Sequence, residues 1–253
     1  MTSHRRRRSL LAVGAVLLLV AGACSGDDDT AESPDPTSTP TDVVEAEPTP
    51  AVGTEVVRFT TSDGEQLEGT AYGTGPRGLV LAHMRSRDRS TWDAFATAAA
   101  AEGIHVLTFD FRGYGASTGA RDTALDTDLA AAVELLRSRG ATRIVVAGAS
   151  MGGTAAINVA ARLDLAGVVS LSAPADFGAL PALDVAADVG EPMLIVTAEG
   201  DQPYADTAVA LAEAAPVSQL QILGGRAHGT NLFADHDLVL TESMLSFIVD
   251  RLN

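Results

Sequence analysis

The residues best able to do chemistry stand together in Gly148-Ala149-Ser150-Met151-Gly152, a G-x-S-x-G pattern followed by Gly153. A serine hydroxyl is a weak nucleophile until a neighbouring base accepts its proton. The pattern gains meaning from its flanks. Arg143–Ala147 is a short apolar run, and the stretch 152–162 is rich in Ala. A strand that turns at once into a helix needs a sharp bend, so a Cβ at position 148 or 152 would collide with backbone. Such a bend pushes the serine out at the top of a sheet. It also sets the hydroxyl beside a helix N-terminus, whose free N–H groups favour developing negative charge. Ser150 is therefore the candidate nucleophile.

A base must come from five histidines: His4, His83, His105, His228 and His236. His83 ends an apolar run upstream of the serine and is suited to holding loop backbone. His105 begins another run, and His236 lies where the last helix should start. His228 sits in the loop Gly224-Gly225-Arg226-Ala227-His228-Gly229. Glu199, Asp201 and Asp206 follow the run Met193–Thr197 and are candidate acids. On the residues alone these alternatives stay open.

The elements that must position these groups can be read from apolar patterning. Thr54–Thr60 and Gln66–Tyr72 read as strands joined by a Ser62-Asp63-Gly64 turn, a hairpin. Further strands are expected at Gly78–Ala82, Ile104–Phe109, Arg143–Ala147, Gly167–Leu171, Met193–Thr197 and Gln219–Leu223. Helices are expected near 90–102, 123–138, 152–162, 204–214 and 236–251. Short runs rich in Val, Ile and Leu, alternating with helices, indicate a mainly parallel eight-stranded sheet covered on both faces. Ligands of such sheets bind outside the carboxyl ends of the strands, where the candidate loops lie.

The N-terminal region reads as an address. Arg5–Arg8 precede an apolar run, Leu10–Ala23, that is shorter than the roughly 20 residues a spanning helix needs. Residues 1–23 are expected to be a signal peptide. The Ala21-Gly22-Ala23-Cys24 sequence resembles a bacterial lipobox, although Ala21 stands where Leu is usual. Cys24 is the only cysteine, so it is the expected lipidation site and the chain has no internal disulfide. Arg7–Leu11 also resembles a twin-arginine export signal. The segment 24–53 is rich in Asp, Glu, Pro and Thr, a composition that cannot bury enough apolar surface to order itself. It is expected to be a linker tethering the domain 54–253 to the outer face of a bacterial membrane.

All 17 basic residues are Arg, and the net charge is −16. A surface this acidic, without a basic stripe, excludes a nucleic-acid partner. No H-E-x-x-H, P-loop or dinucleotide fingerprint is present, so no cofactor or metal is expected. A monomer is expected.

From about residue 54 to the end, the sequence resembles the α/β-hydrolase superfamily, with an affinity to small esterases and dienelactone-hydrolase-like members. The G-x-S-x-G motif at 148–152 carries the resemblance. So does Asp110-Phe111-Arg112-Gly113-Tyr114-Gly115-Ala116-Ser117, a D-x-R-G-x-G-x-S loop in which Arg112 is expected to enter a buried hydrogen-bond network. That superfamily orders its catalytic residues Ser, acid, His along the chain. The resemblance thus implies Ser150, Asp201 and His228, with Glu199 and Asp206 as rival acids and His236 as the fallback base. It further implies an oxyanion hole from the backbone N–H groups of Met84 and Met151, His83-Met84 standing where His-Gly is common. Only Ser172–Glu191 separate the strands where relatives insert a lid, so a minimal cap or none is expected. The implied function is cleavage of carboxylic ester, thioester or lactone bonds of a small acyl substrate. The alternative is a tethered binding protein that keeps the fold without catalysis. Arg85, Arg87 and Arg89 lie beside the implied site. They would either attract an anionic substrate or pair with Asp88 and other acids.

Overall fold

The computed structural model describes residues 53–253. The expected signal peptide, the lipidated Cys24 and nearly all of the expected linker lie outside the described residues. The described part contains the eight anticipated strands: β1 (Thr54–Thr60), β2 (Gln66–Tyr72), β3 (Arg77–Ala82), β4 (His105–Phe109), β5 (Arg143–Ala149), β6 (Gly167–Leu171), β7 (Met193–Ala198) and β8 (Ser218–Leu223). They form one sheet in the order β1-β2-β4-β3-β5-β6-β7-β8. β1, β2 and β4 pair antiparallel, and every pair from β4 to β8 is parallel. The helices are α1 (Asp93–Ala101), α2 (Leu125–Ser138), α3 (Met151–Ala160), α4 (Ala182–Val185), α5 (Tyr204–Ala214) and α6 (Leu232–Leu252).

The alternation of side chains along each strand builds two cores. In β3, Val80 and Ala82 enter one core with α2, α3, α4 and α5. Leu79 and Leu81 enter the other with α1 and α6. All four are fully buried, which is why this strand reads as an unbroken apolar run. The edge strand β8 is different, with Leu220 38% and Ile222 50% exposed. Trp92, Phe95 and Phe233 pack edge to face or tilted, with centroids 5.6–6.0 Å apart. That cluster pins the start of α6 to α1 and thereby fixes the far end of the β8–α6 loop.

The segment after β6 holds only the short α4, a 3-10 turn at Ala186–Asp188 and an isolated Phe177–Leu180 bridge. Among the described residues, no large cap covers the carboxyl end of the sheet. Among the described residues, no helix is long and apolar enough to cross a membrane.

Candidate active site

Ser150 follows directly on β5, the strand between β3 and β6. Its backbone has φ 48° and ψ −115°, a conformation costly for any residue with a side chain. Its N–H donates to Leu171 O at 2.7 Å, and its C=O accepts from Thr154 N–H at 3.0 Å. The flanking glycines make the bend possible. A Cβ on Gly148 would lie 2.1 Å from Gly152 O, and one on Gly152 would lie 2.4 Å from Ala82 O. The expected backbone collisions are therefore real, and they explain why the strand can pass into α3 with no intervening loop. Ser150 is 9% exposed.

Asp201 follows β7, and His228 follows β8. The His228 Nδ1 lies 3.0 and 3.1 Å from the two carboxylate oxygens of Asp201. A carboxylate only accepts, so Nδ1 carries the proton and donates it. Nε2 is left with a free lone pair. The Tyr204 ring packs against the imidazole with centroids 4.2 Å apart. The Gly229 N–H donates to Ser172 Oγ at 3.1 Å. A Cβ on Gly229 would sit 2.7 Å from Met84 Sδ and 3.4 Å from Ala149 Cβ. The histidine loop thus wedges between the residue before Ser150 and the loop after β3. Among the described residues no hydrogen bond joins the Ser150 hydroxyl to His228.

The rivals fall elsewhere. Glu199 is exposed, and Asp206 accepts from Gln202 Nε2 at 3.2 Å. His236 Nε2 donates to Gly224 O at 2.8 Å. His105 is buried in β4, with neither ring nitrogen bonded. Burial pushes its pKa below the usual histidine value.

The Met84 and Met151 N–H groups donate to no described residue. They lie on either side of a tight junction, since a Cβ on Gly152 in α3 would meet the Ala82 and His83 carbonyls at the end of β3. His83 holds this junction together. Its Nδ1–H donates to Met84 O at 2.9 Å, and its Nε2 accepts the Phe111 N–H at 3.1 Å. Both bonds require the neutral ring, and burial lowers its pKa accordingly. His83 thus ties loop backbone, as its position suggested.

Behind the site, Arg112 makes the anticipated buried network. It donates to Asp128 at 2.6 and 2.9 Å and to Asp63 at 2.8 and 3.0 Å. The guanidinium pulls the Asp63 pKa down to about 2. Arg89 joins Glu68 and Asp110, and Arg85 pairs with Asp122 at 2.9 Å. Pairing with acids therefore holds for two of the three loop arginines.

The sequence model of the Alpha/beta hydrolase family matches residues 79–239. The chain belongs to that family. As an alpha/beta hydrolase it is similar in fold to an esterase of Pyrococcus furiosus, Pf2001. The TM-score is 0.69 at 20% identity, over 80% of this chain and 94% of that one. A thermophilic esterase from Thermogutta terrifontis matches with TM-score 0.66 at 19% identity, over 79% of this chain and 100% of its own. The enol-lactonase of Burkholderia xenovorans LB400 matches with TM-score 0.66 at 16% identity, over 76% and 100%. No curated protein matches in sequence.

This alpha/beta hydrolase departs from the sequence expectations in several local respects. β5 runs two residues past Ala147, so Ser150 leaves the strand directly. α6 begins at Leu232 instead of 236, and His236 marks a kink inside it (φ −139°, ψ 31°). Tyr204 was not singled out, because nothing in its own neighbourhood announces a partner beyond β8. Arg85 was also missed as a backbone donor. Its N–H is unpartnered too, in a turn closed by Arg87 N–H donating to Met84 O at 3.2 Å. Among the described residues, no cluster of His, Cys, Asp or Glu is arranged to hold a metal ion.

Proposed function

We propose that this alpha/beta hydrolase is a serine hydrolase that cleaves carboxylic esters, or related thioesters and lactones, of small substrates. The observation that carries this is the His228–Asp201 pair, which leaves Nε2 basic in a loop packed against the residue preceding Ser150. The Ser150 hydroxyl attacks the acyl carbon while His228 Nε2 takes its proton. Asp201 holds the ring in the needed tautomer and stabilises the imidazolium. Met84 and Met151 N–H groups receive the developing oxyanion. The tetrahedral adduct collapses, His228 returns the proton to the leaving alcohol, and the acyl group stays on Ser150. Water, deprotonated by His228, then releases the acid. The Ser150–His228 hydrogen bond forms with substrate bound, as catalytic contacts often tighten only then. Esterase and enol-lactonase neighbours of the same fold support the acyl-transfer class, although fold alone does not assign a reaction.

A fluorophosphonate probe tests the proposal. Wild type is expected to become labelled at Ser150, as located by peptide mass spectrometry, and Ser150→Ala to remain unlabelled. Folded wild type that resists labelling would end the assignment. We further propose that residues 1–23 direct export and that lipidated Cys24 anchors a monomeric catalytic domain to the outer face of the membrane. Cys24→Ser should then release the protein from the membrane fraction.

A further inference from the structure

We propose that Arg85 makes the site selective for acyl substrates bearing a negative charge. The proposal rests on the hydrolase assignment and names its substrate class. Arg85 follows Met84 directly, so its side chain leaves the turn that carries a candidate oxyanion donor. The guanidinium reaches across two neighbouring loops. It pairs with Asp122 in the segment between β4 and α2, and its centre lies 5.9 Å from the Phe177 ring centroid in the segment after β6. β4, β3, β5 and β6 are consecutive in the sheet. Arg85 therefore spans the carboxyl-end rim on both sides of the strand that delivers Ser150.

Three features suit this side chain to an anion. First, it is 63% exposed and held by a single ion contact, leaving other N–H donors for a ligand carboxylate, which guanidinium engages in bidentate fashion. Second, two further arginines stand near it, against Asp88 in the same loop and Asp176 next to Phe177. Arg121 stacks on Tyr114 at 4.6 Å, and Arg87 has no ion partner among the described residues. Asp122 is the carboxylate that Arg85 engages, and it also accepts the Tyr114 hydroxyl at 2.7 Å. Third, the whole chain carries −16. Its field repels anions, so an anionic substrate would need a local cation such as Arg85 to hold it. A substrate carboxylate would bind the guanidinium N–H groups that Asp122 leaves free, while Asp122 keeps its contact with Arg85 and the tyrosine hydroxyl.

The test compares phenyl hydrogen succinate with phenyl succinamate, esters of equal size of which only the first is charged, by phenol release. Wild type is expected to favour the acid by about 10-fold in kcat/KM, mainly through KM. Arg85→Gln should collapse that ratio, Arg85→Lys should retain part of it, and Asp122→Asn should raise it. Added NaCl should shrink it in wild type. Turnover of the amide with no preference for the acid, or a ratio unmoved by Arg85→Gln, overturns the Arg85 assignment alone. Turnover of neither ester, together with no fluorophosphonate labelling, overturns the hydrolase assignment and this one with it.

Discussion

Gly152→Ala separates the geometry of the site from its side-chain chemistry. The substitution touches no proposed catalytic side chain and favours helix by intrinsic propensity. Yet its methyl carbon would stand 2.4 Å from Ala82 O and 2.7 Å from His83 O, where ordinary contact begins at 3.4 Å. Both obstacles are backbone, so α3 and the end of β3 must part by about 1 Å. Overpacking of this kind costs about 1–3 kcal/mol. The functional cost should be larger, because Met84 and Met151 lie on opposite sides of that junction. A misplacement of about 1 Å lowers catalysis by about 100-fold. The assay is kcat on a phenyl ester, paired with urea unfolding. Gly190→Ala is the matched control, since a Cβ there meets nothing within 4 Å; its stability should hold or rise by up to about 1 kcal/mol. Wild-type kcat and midpoint in Gly152→Ala would refute the argument that these two donors are set by backbone contact.

Further outcomes follow from the same contacts. Asp201→Asn should fold normally yet lose about four orders of magnitude in kcat, because an amide can bond the wrong tautomer of His228; steady-state kinetics beside circular dichroism checks both halves. Stability should fall on acidification from pH 6.5. Burial holds His83 and His105 below their ordinary value, so the folded state binds fewer protons than the unfolded chain. Their contribution is complete above pH 6.5 and is lost as pH drops through the folded pKa. Urea midpoints across pH should show this, and His105→Leu should lessen the slope while adding about 1 kcal/mol, since neither ring nitrogen is bonded. Arg112→Ala should cost about 3–5 kcal/mol, because it strands the fully buried Asp128 carboxylate; pairing it with Asp128→Leu should recover much of that loss in the same unfolding assay.

The central strands were legible because β3, β5, β6 and β7 are buried on both faces and are mostly Ala, Val, Ile and Leu, with only the small Ser170 and Thr197 buried inside β6 and β7. The glycines at 148 and 152 were legible because a steric rule needs only their spacing. Asp201 and His228 came from chain order, which a fold constrains strongly. Other features depend on contacts between distant segments. β5 extends to Ala149 because Gly148 pairs with Ala82 and Ser170, a fact no local pattern announces. α6 starts early because Phe233 is held by Phe95 of α1 and by Trp92 just before it. The contact of Tyr204 with His228 joins the start of α5 to a loop beyond the next strand.

The backbone at Ser150 has a last consequence. A residue with φ 48° and ψ −115° stores about 1–3 kcal/mol that glycine would not. Ser150→Gly should accordingly yield a chain that melts later and reacts with nothing.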